Sequence, residues 1–176
     1  MRKVLIAALF FSGYCAAVTL QQLSIDEMAQ QSTAIVRVHV RSSAASFTGP
    51  TIYTHYKLQI DETLKGFPTA EVMVPGGVSG PYRQTFPGIP QLEVGREYLL
   101  FLWTSSTGIT HLMGLSQGVF DLATASDGTL VASRGSIGEL MLDKSGRPVR
   151  DLGLSLRMSE IRSRAGSPQS GGGKIR

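Results

Sequence analysis

Gly114-Leu115-Ser116-Gln117-Gly118 has the Gly-x-Ser-x-Gly spacing of a nucleophile elbow, in which flanking glycines let a serine stand on a strained turn between a strand and a helix. Such a serine needs a histidine base, which in the usual chain order follows it. Here the last histidine, His111, precedes it. The residues after the motif, Val119-Phe120-Asp121-Leu122, alternate as a strand and not as a helix. Two glycines flanking a turn or bulge account for the match, and a small secreted serine hydrolase using Ser116 stands as the alternative.

A second set of candidates lies on two stretches of alternating residues. Arg37, His39 and Arg41 share one strand face, and Tyr53, His55 and Lys57 share another. His39, His55 and His111 are the right ligand type for zinc, but Arg37, Arg41 and Lys57 flank the first two, and positive charge opposes a dication. No metal and no cofactor are expected. Arg37, Arg41, Lys57 and Tyr53 could instead form a basic and aromatic groove for a chain-like anion, against an ordinary solvated sheet face. The third candidate is the segment 75–96, which holds four prolines and five glycines and carries Tyr82, Arg83, Phe86, Ile89 and Leu92. Aromatic and arginine side chains on a proline-restrained loop suit partner binding, whereas the same apolar residues could fold down as a lid.

The elements that would position these residues are legible from periodicity. Ser24-Ile25-Asp26-Glu27 is a capping box and predicts a short helix over 24–31. Val36, Val38 and Val40 face one way in a half-buried strand, which the Ser/Ala/Gly/Pro stretch 42–50 should break. A long strand alternates Ile52, Thr54, Tyr56, Leu58 and Ile60 against Tyr53, His55, Lys57, Gln59 and Asp61, and ends at Leu64-Lys65-Gly66. After a short strand 71–74, residues 75–96 read as a long loop with one embedded turn or short strand at most. Residues 97–103 are apolar on both faces, the mark of a central strand covered on each side. Strands over 109–115, 118–123 and 129–134 follow, the last two joined at Ser126-Asp127-Gly128. Leu154, Met158 and Ile161 keep helical spacing.

Six or seven short strands with a helix before and another after predict a mainly β fold, an antiparallel barrel or sandwich. The missing helices between strands exclude parallel βαβ winding. At 176 residues and 42% hydrophobic the chain makes one domain over 18–165 with a packed core. Its charge of +4 sits at the two ends, and residues 18–156 carry 10 basic and 12 acidic groups, a balance of −2. That balance argues against nucleic acid.

Residues 1–17 combine Arg2 and Lys3, an apolar run and a small-residue end, which predicts a secretory signal cut after Ala17 and a periplasmic or extracellular protein. The cut would remove Cys15, the chain's one cysteine, and leave no disulfide, no thiolate ligand and no transmembrane segment in the mature chain. Residues 166–176 are Gly/Ser-rich and predict a disordered tail.

Thr51-Ile52-Tyr53-Thr54 through Leu64-Lys65-Gly66, Pro75-Gly76-Gly77, Pro87-Gly88-Ile89-Pro90 with Gly95-Arg96-Glu97-Tyr98, and Gly114 to Phe120 form a set of stretches spread over the strands and loops. Together they resemble a group of exported bacterial β-domains without an established activity. A fainter likeness, through Ala34-Ile35-Val36 and the strand ending Leu-Lys-Gly, is to the netrin and metalloproteinase-inhibitor module, an OB-type barrel. Those inhibitors chelate zinc with an N-terminal cysteine, for which the expected mature start, Val18, offers no counterpart. The resemblance and the residues together imply a non-enzymatic binding or envelope-associated protein whose partner is a protein or an envelope polysaccharide. N-terminal sequencing of the exported form should begin at Val18; a chain still starting at Met1 would refute the signal.

Overall fold

A computed structural model of the chain describes residues 19–166. The expected signal segment 1–17 and the tail beyond Gly166 lie outside the described residues.

Helix α1 (Ile25–Gln31) forms where the capping box predicts it, after the short strand β1 (Thr19–Gln21). The Glu27 N–H donates to Ser24 Oγ at 3.2 Å, and the Ser24 N–H donates to Glu27 Oε2 at 2.9 Å. Hydrogen bonds from Lys144 and then Ser24 pull the Glu27 carboxyl down to about 2. At the other end, Lys65 Nζ donates to the free carbonyls of Ala29 and Gln30 at 2.7 and 2.8 Å, closing the helix C-terminus with a cation.

Strands β2 (Ala34–Thr48) and β3 (Thr51–Gly66) pair as one long antiparallel hairpin turned at Gly49-Pro50. The expected break at 42–50 is therefore overturned for residues 42–48. Serine and alanine are poor strand formers alone, but the uninterrupted ladder to β3, from Ser42 opposite Lys57 to Thr48 opposite Thr51, supplies the pairing that local propensity lacks. Three register shifts, at Ile35/Val36, Arg37/Val38 and Val40/Ser42, bend the hairpin.

The segment read as one loop begins after β4 (Glu71–Pro75) and contains a second hairpin, β5 (Gly77–Ser79) with β6 (Tyr82–Gln84). Its proline and glycine content masks the strands because each is three residues long, too short to show a period. Strand β7 (Glu97–Thr104) follows, then β8 (Thr110–Leu112), a 3-10 turn at Leu115–Gly118, β9 (Val119–Thr124) and β10 (Leu130–Arg134). Short strands β11 (Leu140–Leu142) and β12 (Pro148–Val149) join β1 in a small sheet of their own. Leu154 lies in strand β13 (Leu154–Arg157) and not in the helix its spacing suggested; α2 (Met158–Ala165) begins four residues later. Pairing of Leu154 and Leu156 with Arg134 and Ala132 on β10 takes them into the sheet.

The principal sheet runs β13-β10-β9-β7-β2-β3-β4, antiparallel throughout, with β8 also on β7. Among the described residues the protein is thus mainly β with two helices, its sheets are antiparallel apart from the parallel pair β1–β11, and none of them closes into a barrel. Two buried clusters lie on the two faces of β7. Leu100 and Leu102 join Val36, Val38, Val40, Leu58, Val72, Val74 and Leu112. On the opposite face Leu99 and Phe101 join Ile35, Phe120, Ala132 and the helical residues Met28, Met158 and Ile161. Because β4 and β8 contribute to one cluster, the sheet curls until they lie side by side, and Thr69 Oγ1 donates to Thr110 Oγ1 across the gap at 2.9 Å. Among the described residues no helix is long and apolar enough to cross a membrane.

A buried ion pair holds the excursion between β10 and β13 against this frame. Arg134 Nη1 donates to Asp151 Oδ2 at 2.5 Å and Nη2 to Oδ1 at 3.2 Å, with side chains 8% and 4% exposed. The Ile137 N–H donates to the same carboxylate at 2.8 Å. Burial raises the Asp151 carboxyl, but hydrogen bonds from Arg134 and Ile137 outweigh it and hold the group below its ordinary value. A carboxyl depressed by folding stabilises above its unfolded pKa, and that stabilisation is lost as pH falls through the folded one. Asp151→Ala should therefore destabilise by about 3–5 kcal/mol in urea unfolding at neutral pH, because it orphans a buried guanidinium. The variant should also show a shallower loss of stability on acidification than the parent chain.

Candidate functional site

Three places hold the residues whose chemistry the sequence singled out, and the fold keeps them apart. The Gly-Leu-Ser-Gln-Gly motif occupies the 3-10 turn that leads into β9. Gly114 and Leu115 both sit at φ 59°, a region that costs a residue with a Cβ. A Cβ at Gly118 would stand 2.4 Å from the Met113 carbonyl oxygen, so that glycine is sterically required. Gln117 is the residue the turn serves. Its Oε1 accepts the Leu23 N–H at 2.8 Å and its Nε2 donates to the Gln21 carbonyl at 2.9 Å, tying the segment between β1 and α1 to the sheet.

Ser116 Oγ is buried and has no hydrogen-bond partner among the described residues, so none of the three histidines stands within hydrogen-bond reach of it. A cavity of about 340 Å³ lies beside it, lined by Ile89, Pro90, Asp121, Arg134 and Glu139 among others, with no histidine in its wall.

The polar face of β7, β2, β3 and β4 carries the second group. Arg37 donates to Glu97 at 2.9 Å and stands 3.5 Å from Glu62, which Arg162 of α2 grips at 2.7 and 2.9 Å. His39 Nδ1 contacts Asp61 Oδ2 at 2.6 Å, and Gln59 Nε2 donates to Asp61 Oδ1 at 2.9 Å while its own carbonyl accepts from Arg41. His55 Nδ1 contacts Glu71 at 2.7 Å, with Lys57 on the other oxygen. Hydrogen bonds from Lys57 and then His55 hold the Glu71 carboxyl below its usual range, and the Arg162 guanidinium does the same for Glu62. Burial raises Asp61, but the bonds from His39 and Gln59 together leave it lowered.

Arg37 and Lys57 thus meet carboxylates, whereas Arg41 meets only the neutral Gln59 amide, so of these three cations two are charge-compensated among the described residues. Tyr53 lies further out, opposite Ser46, while Lys57 lies opposite Ser42. The three histidines do not converge, since His111 stacks on Trp103 with ring centroids 6.2 Å apart. Ligand atoms of His39, Asp61 and Glu97 do lie within 4.8 Å of one another. The Arg37 guanidinium already neutralises Glu97 and the imidazole already holds Asp61, which leaves that trio as part of the ion-paired ladder.

The third group sits at the end of the β2–β3 hairpin, where β5 and β6 lie on its face. Gln84 fastens them, accepting the Ile52 N–H at 2.6 Å and donating to the Pro50 carbonyl at 3.0 Å. Thr54 Oγ1 donates to the Gly76 carbonyl at 2.7 Å, and the Gly76 N–H donates to Ile52 O at 2.7 Å. The approach at Gly77 is close enough that a Cβ would fall 2.5 Å from Thr54 Oγ1 and 2.9 Å from Ala45 Cβ.

This docking raises Phe47 and Tyr82 into an edge-to-face pair, centroids 5.7 Å apart, that stays 48% and 61% exposed. Val78 and Phe86 are exposed as well. Arg83 has no ion-pair partner among the described residues. Ile89 and Leu92 turn the other way and pack on the core, where the Leu92 N–H donates to the Tyr56 hydroxyl at 3.3 Å. Sequence reasoning named Tyr82, Arg83 and Phe86 but missed Phe47, which only the docked hairpin brings beside Tyr82.

No protein-family model matches the chain, and no curated protein matches it. Removing the unpaired hydroxyl with Ser116→Ala should leave stability unchanged or slightly raised, and leave any hydrolytic activity intact. Gln117→Ala, which strands the Leu23 N–H, should cost about 1–3 kcal/mol in the same denaturant titration.

Proposed function

We propose that the protein is an exported, non-enzymatic binding protein of the cell envelope, and that it engages a protein partner through the hairpin face bearing Phe47, Tyr82 and Arg83. The observation that carries this reading is the exposed Phe47–Tyr82 pair, held on two hairpins that pin each other through Gln84 and Gly77. Aromatic and arginine side chains are the usual anchors of protein interfaces, and a pre-ordered support lowers the entropy lost on binding. On the opposite surface Arg37 and Lys57 are already engaged by carboxylates, leaving Arg41 as an isolated cation, which favours the aromatic face over Arg37, Arg41 and Lys57 as the place of contact.

The curled sheet, with β8 lying against β4, supports reading the domain as a partly open relative of the OB-type barrel, a fold that presents ligands to its loops and one sheet face.

Capture of an envelope protein by the immobilised chain should fall sharply for Tyr82→Ala and for Arg83→Ala, with melting temperatures close to that of the parent. Leu92→Ala should behave in the opposite manner, destabilising by about 2–4 kcal/mol while leaving capture by the folded fraction intact. Full capture by both Tyr82→Ala and Arg83→Ala would refute the assignment.

A further inference from the structure

Beyond Val40, strand β2 has a neighbour on one side only. Strand β7 pairs with it from Ala34 to His39, and the Val40 N–H and carbonyl still meet Arg96 and Gly95 at 3.0 and 2.8 Å. From Ser42 to Thr48 the ladder to β3 continues, but no strand among the described residues lies along the other edge.

Since Gly49-Pro50 is a two-residue turn, Thr48 and Thr51 form a hydrogen-bonded pair. The alternation of an antiparallel ladder then directs the backbone groups of Ser43, Ala45 and Phe47 outward. Val40, whose groups meet the β7 side, fits the same alternation across the irregularity at Val40/Ser42. The β5–β6 hairpin does not cover this edge, because its hydrogen bonds go to Pro50, Ile52 and Thr54 and its Gly77 lies over the Ala45–Thr54 pair.

Natural sheet edges are guarded by charge, proline or brevity. The other two ends of the principal sheet follow that rule. Strand β13 has four residues and ends in Arg157, and β4 ends in Pro75 with β8 beside it. Ser42-Ser43-Ala44-Ala45-Ser46-Phe47-Thr48 has neither charge nor proline, and spans about 23 Å at 3.3 Å per residue. Beside it stand the exposed Phe47, Val78 and Tyr82.

We infer that this edge pairs with the same edge of a second copy of the chain, antiparallel and centred on Ala45, so that one sheet continues through both. The segment is self-complementary about that centre. Ala45 meets Ala45, Ser43 meets Phe47, Ala44 meets Ser46 and Ser42 meets Thr48, so every outward-pointing residue faces another. Small side chains allow close approach, and Arg41 falls opposite Gly49 of the second copy, so no like charges oppose each other. A twofold axis normal to the sheet keeps both Phe47–Tyr82 pairs on the same face, where they form one doubled surface.

Sedimentation equilibrium of the chain from Val18 to Arg176 tests this, together with amide hydrogen exchange. A dimer is expected, with protection of the Ser43, Ala45 and Phe47 amides rising with concentration while those of Ser42, Ala44 and Ser46 stay protected throughout. Ala45→Pro removes one outward N–H, and the double variant Ala44→Lys with Ser46→Lys places lysines opposite each other; each should weaken the dimer by about tenfold or more with an unchanged circular dichroism spectrum. Arg83→Ala should leave it intact, which separates this result from the fate of the binding face.

A chain that stays monomeric at about 100 µM, where a micromolar pair would be mostly assembled, overturns the inference. So does a dimer whose Ser43, Ala45 and Phe47 amides exchange freely, or an edge protected only when an extended peptide is added. The exchange pattern is read on the unmodified chain, so it decides the matter even if a variant fails to fold.

Discussion

Leu99, Leu100, Phe101 and Leu102 succeed one another in β7 without exposed surface, so both faces of that strand must be roofed. The roofs differ. Valines of β2 and β4 with Leu58 and Leu112 cover one face because the sheet curls over on itself, and α1 and α2 with Phe120 cover the other. Each buried side chain removes on the order of 2 kcal/mol of apolar exposure from water, so a row of four of them outweighs any local preference in the segments drawn over it. That demand brings α1 and α2 together: the capping-box helix and the later helix meet on the Leu99–Phe101 side, linked at their rims by Arg164 to Asp26 at 2.5 Å.

Residues far from β7 are placed by polar devices of two kinds. Where backbone must be fastened in the interior, the structure uses a single side chain with both of its ends engaged: Gln117 for the segment before α1, Gln84 for the β5–β6 hairpin, and Asp151 for the stretch before β13. An amide or carboxylate that satisfies two partners at once leaves no buried group unmatched. On the outer face of β2 and β3 most cations and carboxylates are matched row by row, from Glu97 through Arg37 and Glu62 to Arg162, with Arg41 on the Gln59 amide the exception. A face so neutralised is poorly suited to attract a distant charge. The unspent features, the Phe47–Tyr82 pair and a strand edge with no neighbour among the described residues, both lie where the β2–β3 hairpin runs beyond β7 and β6 docks on it.

The serine motif shows how one pattern can serve opposite ends. Two glycines around a serine signal a backbone under steric pressure whatever the reason for it. Here the pressure comes from Gly118 against Met113 and from the placement of Gln117, and the hydroxyl of the serine beside them is buried without a partner among the described residues.

Read alone, the residues were enough to determine the helix at the capping box, the doubly covered strand at 97–103 and the alternation of β3, because each rests on a local period or cap that neighbouring residues declare themselves. Tertiary structure decided the rest. Ser42 to Thr48 became strand through their ladder to β3, and Leu154 entered the sheet through its pairing with Arg134 on β10. Phe86 and Tyr82 were told apart from Ile89 and Leu92 only by which of them reached the cluster around Leu100. Phe47 met Tyr82 across 35 residues of chain because Gly77 let one hairpin lie on another. Such contacts depend on which surface a strand finds beside it, and no spacing within a single segment encodes that.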